Sequence, residues 1–199
     1  VASTGVIGQI LPIEPIMSAV PKLVNELDYG KNNQAATAIM TTDTVKKEYA
    51  VEFEIDDKKC HLGGMAKGSG MIHPNMATTL NFITTDCAIS TDMLQKALNE
   101  IVKITYNCLS IDGDTSTNDM VCLMANGLAE NNEITCEGEA YEIFKSALYE
   151  VMANLTRMLA KDGEGATKLI ECIVAGAKTQ DIAITVAKSV VCSSLFKAA

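Results

Sequence analysis

Apolar and polar positions alternate with two different periods along this chain, and the switches between them predict its elements. Tyr49, Val51, Phe53 and Ile55 alternate with Glu52 and Glu54, the two-residue period of a half-buried strand. Asp56-Asp57-Lys58-Lys59 reads as a hairpin turn and Cys60–Met65 as the returning strand. Thr78–Thr85, Met120–Met124 and Leu169–Val174 read as further strands, the second of them short and buried. Val1–Gly8 reads as a strand end that turns at Gly5 and Gly8.

The helical period appears in four places. Ser90 or Thr91 caps a helix that runs to about Tyr106, with Leu94, Leu98, Ile101 and Val102 on one face. Glu139–Ala160 is the longest such pattern, its stripe made by Ile143, Phe144, Leu148, Val151, Leu155, Met158 and Leu159, and Asp162-Gly163-Glu164-Gly165 ends it. Gln180–Leu195 predicts a last helix. Ile16–Leu27 predicts an early one, with Pro15 in its first turn and Gly30 beyond its end; Pro21 should kink or split it. Ala35–Met40 is a short apolar run stopped by Thr41-Thr42-Asp43-Thr44. Interleaved strands and helices without an internal repeat imply an α/β (α+β layered) fold, sheet against helices, around one core.

Composition narrows the function classes. With 199 residues, 48% of them hydrophobic, the chain can bury one sizeable core. A net charge of -9 and a pI near 4.7 argue against a nucleic-acid surface, which needs basic patches; a local cationic pocket remains compatible with an acidic protein. No apolar run reaches bilayer length. The seven cysteines form no CxxC pair and read as buried reduced thiols of a cytoplasmic protein. His61 and His73 are the only histidines and neither has ligand spacing to a cysteine pair, so no metal is expected.

The stretch with the most chemistry is Gly63–Thr85. Gly63, Gly64, Gly68 and Gly70 crowd around Lys67, but the GxxxxGK[ST] spacing of a phosphate loop is absent. Asp112, Asp114 and Asp119 alternate oxygen ligands, yet the glycine and glutamate positions of a calcium-binding EF-hand loop are not met. Met76-Ala77-Thr78-Thr79-Leu80 leads small residues into a threonine that opens a strand. Cutting the Ala77–Thr78 bond would give Thr78 a free α-amine, of reference pKa about 7.7–8.0, beside its own hydroxyl. Such an amine activates the hydroxyl as a nucleophile without histidine. On these residues alone, an Ala-Thr dipeptide is common and an ordinary strand start is the better explanation of it.

Five separated motifs resemble one family. Ser3-Thr4-Gly5-Val6-Ile7-Gly8, Ala66–Ile72 (AKGSGMI), Pro74–Thr78 (PNMAT), Ser110–Asp119 (SIDGDTSTND) and Asp162–Lys168 (DGEGATK) are similar, in order and over nearly the whole chain, to the ornithine acetyltransferase (ArgJ) family of arginine biosynthesis. The resemblance implies an αββα sandwich of the self-processing N-terminal-nucleophile type. It implies autocleavage at Ala77-Thr78 into the C-terminal part of an α subunit (1–77) and the N-terminal part of a β subunit (78–199), the two parts making a single structural domain, and an assembly of α and β subunits as a heterotetramer. It implies acetyl transfer from N-acetylornithine to glutamate through acetyl-Thr78, releasing ornithine. Thr4 and Gly5 match the pair of the oxyanion hole. Thr41 (with Thr42 as fallback), Lys67, Thr78 and Glu164 match substrate-binding positions. No tightly bound cofactor is implied; acetyl-CoA is a co-substrate in bifunctional members. The alternative within the same chemistry is a self-processing N-terminal-threonine aminopeptidase or amidase, and the alternative outside it is a non-catalytic fragment of the fold.

Two departures stand out. Thr79 precedes Leu80 where the family more often has methionine. Family members run to about twice this length, and their C-terminal substrate contacts, an asparagine among them, have no match here, so the chain is read as a fragment truncated at both ends.

Overall fold

The alternation at Tyr49–Ile55 extends two residues upstream, so strand β1 covers Lys47–Ile55. The computed structural model describes residues 2–3, 8–73, 79–116 and 118–198. Asp56 and Asp57 form the hairpin turn at φ of 52° and 58°, a left-handed region that aspartate tolerates better than most residues. Strand β2, Lys58–Lys67, returns antiparallel to β1. Strand β3, Leu80–Thr85, pairs antiparallel with β2 and parallel with β4, Met120–Ala125, in the order β1-β2-β3-β4. A parallel β3–β4 pair needs a crossover connection, which contains a helix over Thr91–Ile104. Strand β4 is half-buried rather than buried as expected, because among the described residues it is an edge strand with one neighbour.

Helices α1 (Ile13–Asn25) and α2 (Asn32–Ala38) precede the sheet, with a single 3₁₀ turn at Tyr29–Lys31 between them. Pro21 lies inside α1 without ending it; its ring already has a helical φ and removes one N–H bond. The apolar run at 35–40 contributes to α2, which buries only Ala36. The crossover helix is α3, and the Ser90 hydroxyl caps it by accepting the Met93 amide at 3.4 Å. Helix α4, Glu139–Lys161, packs across β1 and β2. Its stripe of Tyr141, Phe144, Leu148, Val151, Met152, Leu155 and Leu159 is fully buried against Cys60, Leu62 and Ile83 of the sheet. Phe53 and Phe144 meet edge to face with centroids 6.3 Å apart, a favoured aromatic arrangement.

Three expectations need correction. Leu169–Val174 is not a strand. Its burial does alternate, with Ile173 90% exposed, but a strand needs a hydrogen-bonded neighbour and the described sheet does not pair with it. The last helix is two: α5, Gln180–Val191, and α6, Ser194–Ala198. They separate where the Ser193 amide bonds Val190, three residues back, instead of residue 189. The cysteines are all free, but only Cys60 and Cys87 are buried and Cys136 is exposed. The expected strand end at Val1–Gly8 falls largely outside the described residues.

Helix α4 packs against the sheet over Gly64 through Leu155. A Cβ there would meet Ile83 Cγ1 and Leu155 Cδ1 at 3.1 Å and the Phe82 carbonyl at 3.2 Å. Gly64→Val should therefore destabilise the full-length protein by about 1–3 kcal/mol, the usual range for core overpacking. The shift of its urea midpoint, compared with Gly138→Val, where a Cβ would meet open space on extended backbone, measures this.

Candidate active site

One end of the sheet gathers five segments distant in sequence: the loop before β1, the glycine-rich exit from β2, the entry to β3, the loop before β4 and the turn after α4. What joins them is mainly carboxylate chemistry. Lys47 opens β1 on the sheet face that α4 covers, where its ammonium is fully buried. It donates to Asp43 Oδ1 and to Asp162 Oδ2, both at 2.6 Å, and to the Val45 carbonyl at 3.3 Å. A buried ammonium with three oxygen acceptors is saturated.

Each carboxylate then reaches further. Asp43 also accepts the amides of Gly68 at 2.7 Å and Thr41 at 3.0 Å. Asp162, at the end of α4, accepts the Thr44 amide at 3.0 Å and the Thr44 hydroxyl. Burial pushes both carboxyls up, but the Gly68 amide and Lys47 at Asp43, and Lys47 and Thr44 at Asp162, outweigh it and hold both below the ordinary range. Gly68 has a φ of 144°, a conformation that favours glycine.

Lys67, at the end of β2, is the second buried lysine, 3% exposed. It projects from the opposite sheet face to Lys47, since β1 pairs Lys47 with Ala66. Among the described residues, its ammonium finds the Thr41 hydroxyl at 3.4 Å. Burial lowers its pKa, and Asp43 and Asp119 pull it back up. The β2–β3 register places Lys67 opposite Leu80, two residues beyond Thr78 in the chain.

Glu164 reaches the same corner. Its amide donates to the Ser69 carbonyl at 2.7 Å. Its carboxylate lies so close to Gly70 that a Cβ there would sit 2.8 Å from Cδ. The Thr42 and Ser69 hydroxyls share a hydrogen bond of 2.5 Å. Thr41 therefore faces Lys67, and Thr42 faces Ser69, whose carbonyl accepts the Glu164 amide.

The acidic loop before β4 grips both flanks of segment 74–78. Asp112 accepts the amides of Met71 at 2.5 Å and Ile72 at 2.8 Å, and Asp119 accepts the Thr79 amide at 2.8 Å. The Thr115 hydroxyl donates to the His73 carbonyl at 2.8 Å. These aspartates diverge to different stretches of backbone, and no group of three metal-ligating side chains gathers among the described residues.

Of the residues expected from sequence, Lys67, Thr41, Thr42 and Glu164 come together. Thr4, Gly5, Ala77 and Thr78 lie outside the described residues. Asp43, Lys47, Ser69 and Asp162 were not anticipated. Lys47 had a signal: the alternation of β1, continued back two residues, puts a lysine on the apolar face, where a partner acid is required.

The family model that matches this sequence is that of the ArgJ family, and it covers residues 1–199. The chain belongs to the ArgJ family. It is 55% identical, over its full length, to 49% of the arginine biosynthesis bifunctional protein ArgJ 1 of Clostridium acetobutylicum. It is 51% identical to 48% of the arginine biosynthesis bifunctional protein ArgJ of Geobacillus stearothermophilus, again over its full length. The chain thus spans about half the length of the curated ArgJ relatives it matches. The crystal structure of ArgJ from Bacillus halodurans superposes with a TM-score of 0.54 at 48% identity, over 57% of this chain and 53% of that one. The layered α/β class is the one expected, and the likeness is consistent with an αββα sandwich of which the described sheet and α4 form two layers.

Lys47→Met should leave two buried carboxylates without their cation. The expected loss is about 3–5 kcal/mol in the full-length protein, whereas breaking the exposed, solvent-screened pair with Lys59→Ala should change stability little. Denaturant unfolding measures both. Because Asp43 and Asp162 titrate below the ordinary aspartate value of 3.8, their contribution is complete well above that pH and is lost as pH falls below it. The Lys47→Met difference should shrink in the same acid window.

Proposed function

We propose that this chain carries the nucleophile-bearing half of an acetyltransferase of arginine biosynthesis, which cleaves itself at Ala77-Thr78 and moves acetyl from N-acetylornithine to glutamate through acetyl-Thr78. Family membership supports this reading, as does the description of the Clostridium and Geobacillus relatives as arginine biosynthesis bifunctional proteins. The observation that carries it is the contrast between the two buried lysines. Lys47 is saturated by the protein, whereas Lys67 is buried with a single long contact among the described residues. A buried cation with donor capacity to spare is suited to an anionic ligand. Glutamate, which carries carboxylates, fits that requirement, and Lys67 stands across the sheet from the entry to β3.

The steps follow from the residue types. The Thr78 hydroxyl attacks the Ala77 carbonyl, the peptide becomes an ester, and water releases Ala77 and a free α-amine on Thr78. The amine then takes the hydroxyl proton as Thr78 attacks the acetyl carbonyl of N-acetylornithine. Donors at Thr4 and Gly5 stabilise the oxyanion, by roughly 3 kcal/mol each where such donors are preorganised. Ornithine departs, and glutamate takes the acetyl group. Thr41 and Lys67 hold carboxylate, and Glu164 receives the cationic amine of ornithine. Acetyl-CoA serves as second donor if the enzyme is bifunctional. Residues 1–77 and 78–199 belong to the α and β subunits of one precursor, assembled as a heterotetramer in the cytoplasm. Among the described residues, no helix is long and apolar enough to cross a membrane.

Thr78→Ala in the full-length protein should remain one uncut polypeptide by intact mass, while the parent yields two. Its acetyl transfer from N-acetylornithine to glutamate should fall about a thousandfold or more. A Thr78→Ala protein that still splits at this bond contradicts the cleavage step.

Lys67→Met tests the binding role separately. The KM for glutamate should rise about tenfold or more, with self-cleavage retained, since one charge-assisted contact contributes about 1.5–3 kcal/mol. Steady-state kinetics with varied glutamate checks it.

A further inference from the structure

Asp119 holds a carboxylate oxygen in reserve. Its Oδ1 accepts the Thr79 amide at 2.8 Å, and that N–H belongs to the peptide unit joining residues 78 and 79. Its Oδ2 is buried and has no hydrogen-bond partner among the described residues. Buried acceptors are nearly always satisfied, so an unsatisfied one beside an expected cleavage site calls for a donor that arrives later. The described surroundings do not supply it. Asn81, fully buried, uses its amide nitrogen on the Thr79 hydroxyl at 2.6 Å and the Met120 carbonyl at 3.4 Å, and its own oxygen is also unpartnered. Lys67, on β2, is the charged group that acts on Asp119, while Thr79 and Asn81 on the β3 side are neutral.

Cutting Ala77–Thr78 creates a donor one residue upstream of the bonded amide. We infer that Asp119 is a positioning residue of the mature enzyme, its free Oδ2 accepting an N–H of the new Thr78 α-amine and aiming the nitrogen lone pair at the Thr78 hydroxyl. This rests on the self-cleavage reading above and adds a residue to it. In the transfer step the bond from Thr78 Oγ to the acyl carbon forms and the bond from acyl carbon to the ornithine nitrogen breaks. The hydroxyl proton passes to the α-amine and on to the departing ornithine nitrogen. Asp119 orients the amine and neither gains nor loses a proton.

The electrostatics of the uncut chain agree. Burial pushes the Asp119 carboxyl up to about 6, against the lowering effects of the Thr79 amide and Lys67. It is therefore ionised at neutral pH and above. A carboxyl raised in the folded state reduces stability as pH climbs from its unfolded value of 3.8 through about 6. In the uncut Thr78→Ala background, adding Asp119→Asn should accordingly not lower the melting temperature at pH 7.5.

The experiment compares the parent, Asp119→Asn and Asp119→Glu as full-length enzymes. In Asp119→Asn, kcat for acetyl transfer should fall about tenfold or more with KM within about twofold. The acid limb of kcat/KM should move to lower pH, since an amine without its carboxylate is easier to deprotonate. Asp119→Glu should recover part of the rate. A smaller fall, a matching rise in KM or an unmoved acid limb overturns the inference. Should Asp119→Asn stay uncut, the parent decides by competitive amine labelling of its new N-terminus. A Thr78 α-amine pKa above the ordinary range of about 7.7–8.0 supports the contact, and one within or below it overturns it. A parent that neither cleaves nor transfers acetyl contradicts the self-cleavage reading itself. A parent that does both, with Asp119→Asn equal to it, removes Asp119 alone.

Discussion

The ammonium of Lys47, buried between Asp43 and Asp162, is the constraint on which the functional end of this molecule depends. The interaction is local in space and long in sequence, since Lys47 and Asp162 are 115 residues apart. A hydrophobic core fixes a sheet against a helix but says little about the loops at the sheet's end. Here the last residues of α4 are tied to the first residue of β1, and the same carboxylates continue into the backbone of residues 41, 44 and 68. Loops that would otherwise be set by solvent are held at the register of the core. Replacing such a triad with apolar residues can be neutral for stability, but no apolar side chain could accept those amides. The triad therefore specifies geometry more than it adds free energy.

The same end of the sheet shows how one residue type serves two purposes. Lys47 and Lys67 are both buried. The first faces α4 and meets every donor requirement within the protein. The second faces away from α4 and has one weak hydroxyl contact among the described residues. Asp112 and Asp119 repeat the division among acids. Asp112 spends both oxygens on the backbone of residues 71 and 72, whereas Asp119 spends one and keeps one. Saturated groups build the frame, and unsaturated ones remain for chemistry.

Much of the fold was legible because it is periodic. The β1–β2 hairpin, α3 and α4 follow directly from the spacing of Tyr49 to Ile55, Leu94 to Val102 and Ile143 to Leu159. What periodicity cannot supply is the partner. Leu169–Val174 has strand composition but pairs with no described strand, and the Gln180–Leu195 pattern continues through a break that backbone bonding makes at Ser193. The site was legible only in part. Lys67, Thr41, Thr42 and Glu164 were reached through motif resemblance, and the structure brings them to one corner. Asp162 lies in one of those motifs and Asp43 directly follows Thr41 and Thr42, yet the pairing of both with Lys47 is a tertiary fact that no local spacing encodes. Asp119 was visible as one acid in a polar turn, and its buried oxygen only emerges from packing.

The central claim is that carboxylates clamp the backbone at this end of the sheet, and native-state hydrogen exchange of the full-length protein tests it most directly. The amides of Gly68, Ile72 and Thr79 lie outside the strands, and each donates to an aspartate. They should exchange as slowly as amides within β2 and β3, through openings of similar free energy. Exchange of these three amides at the rate of the open loop around Gly176 would contradict the account.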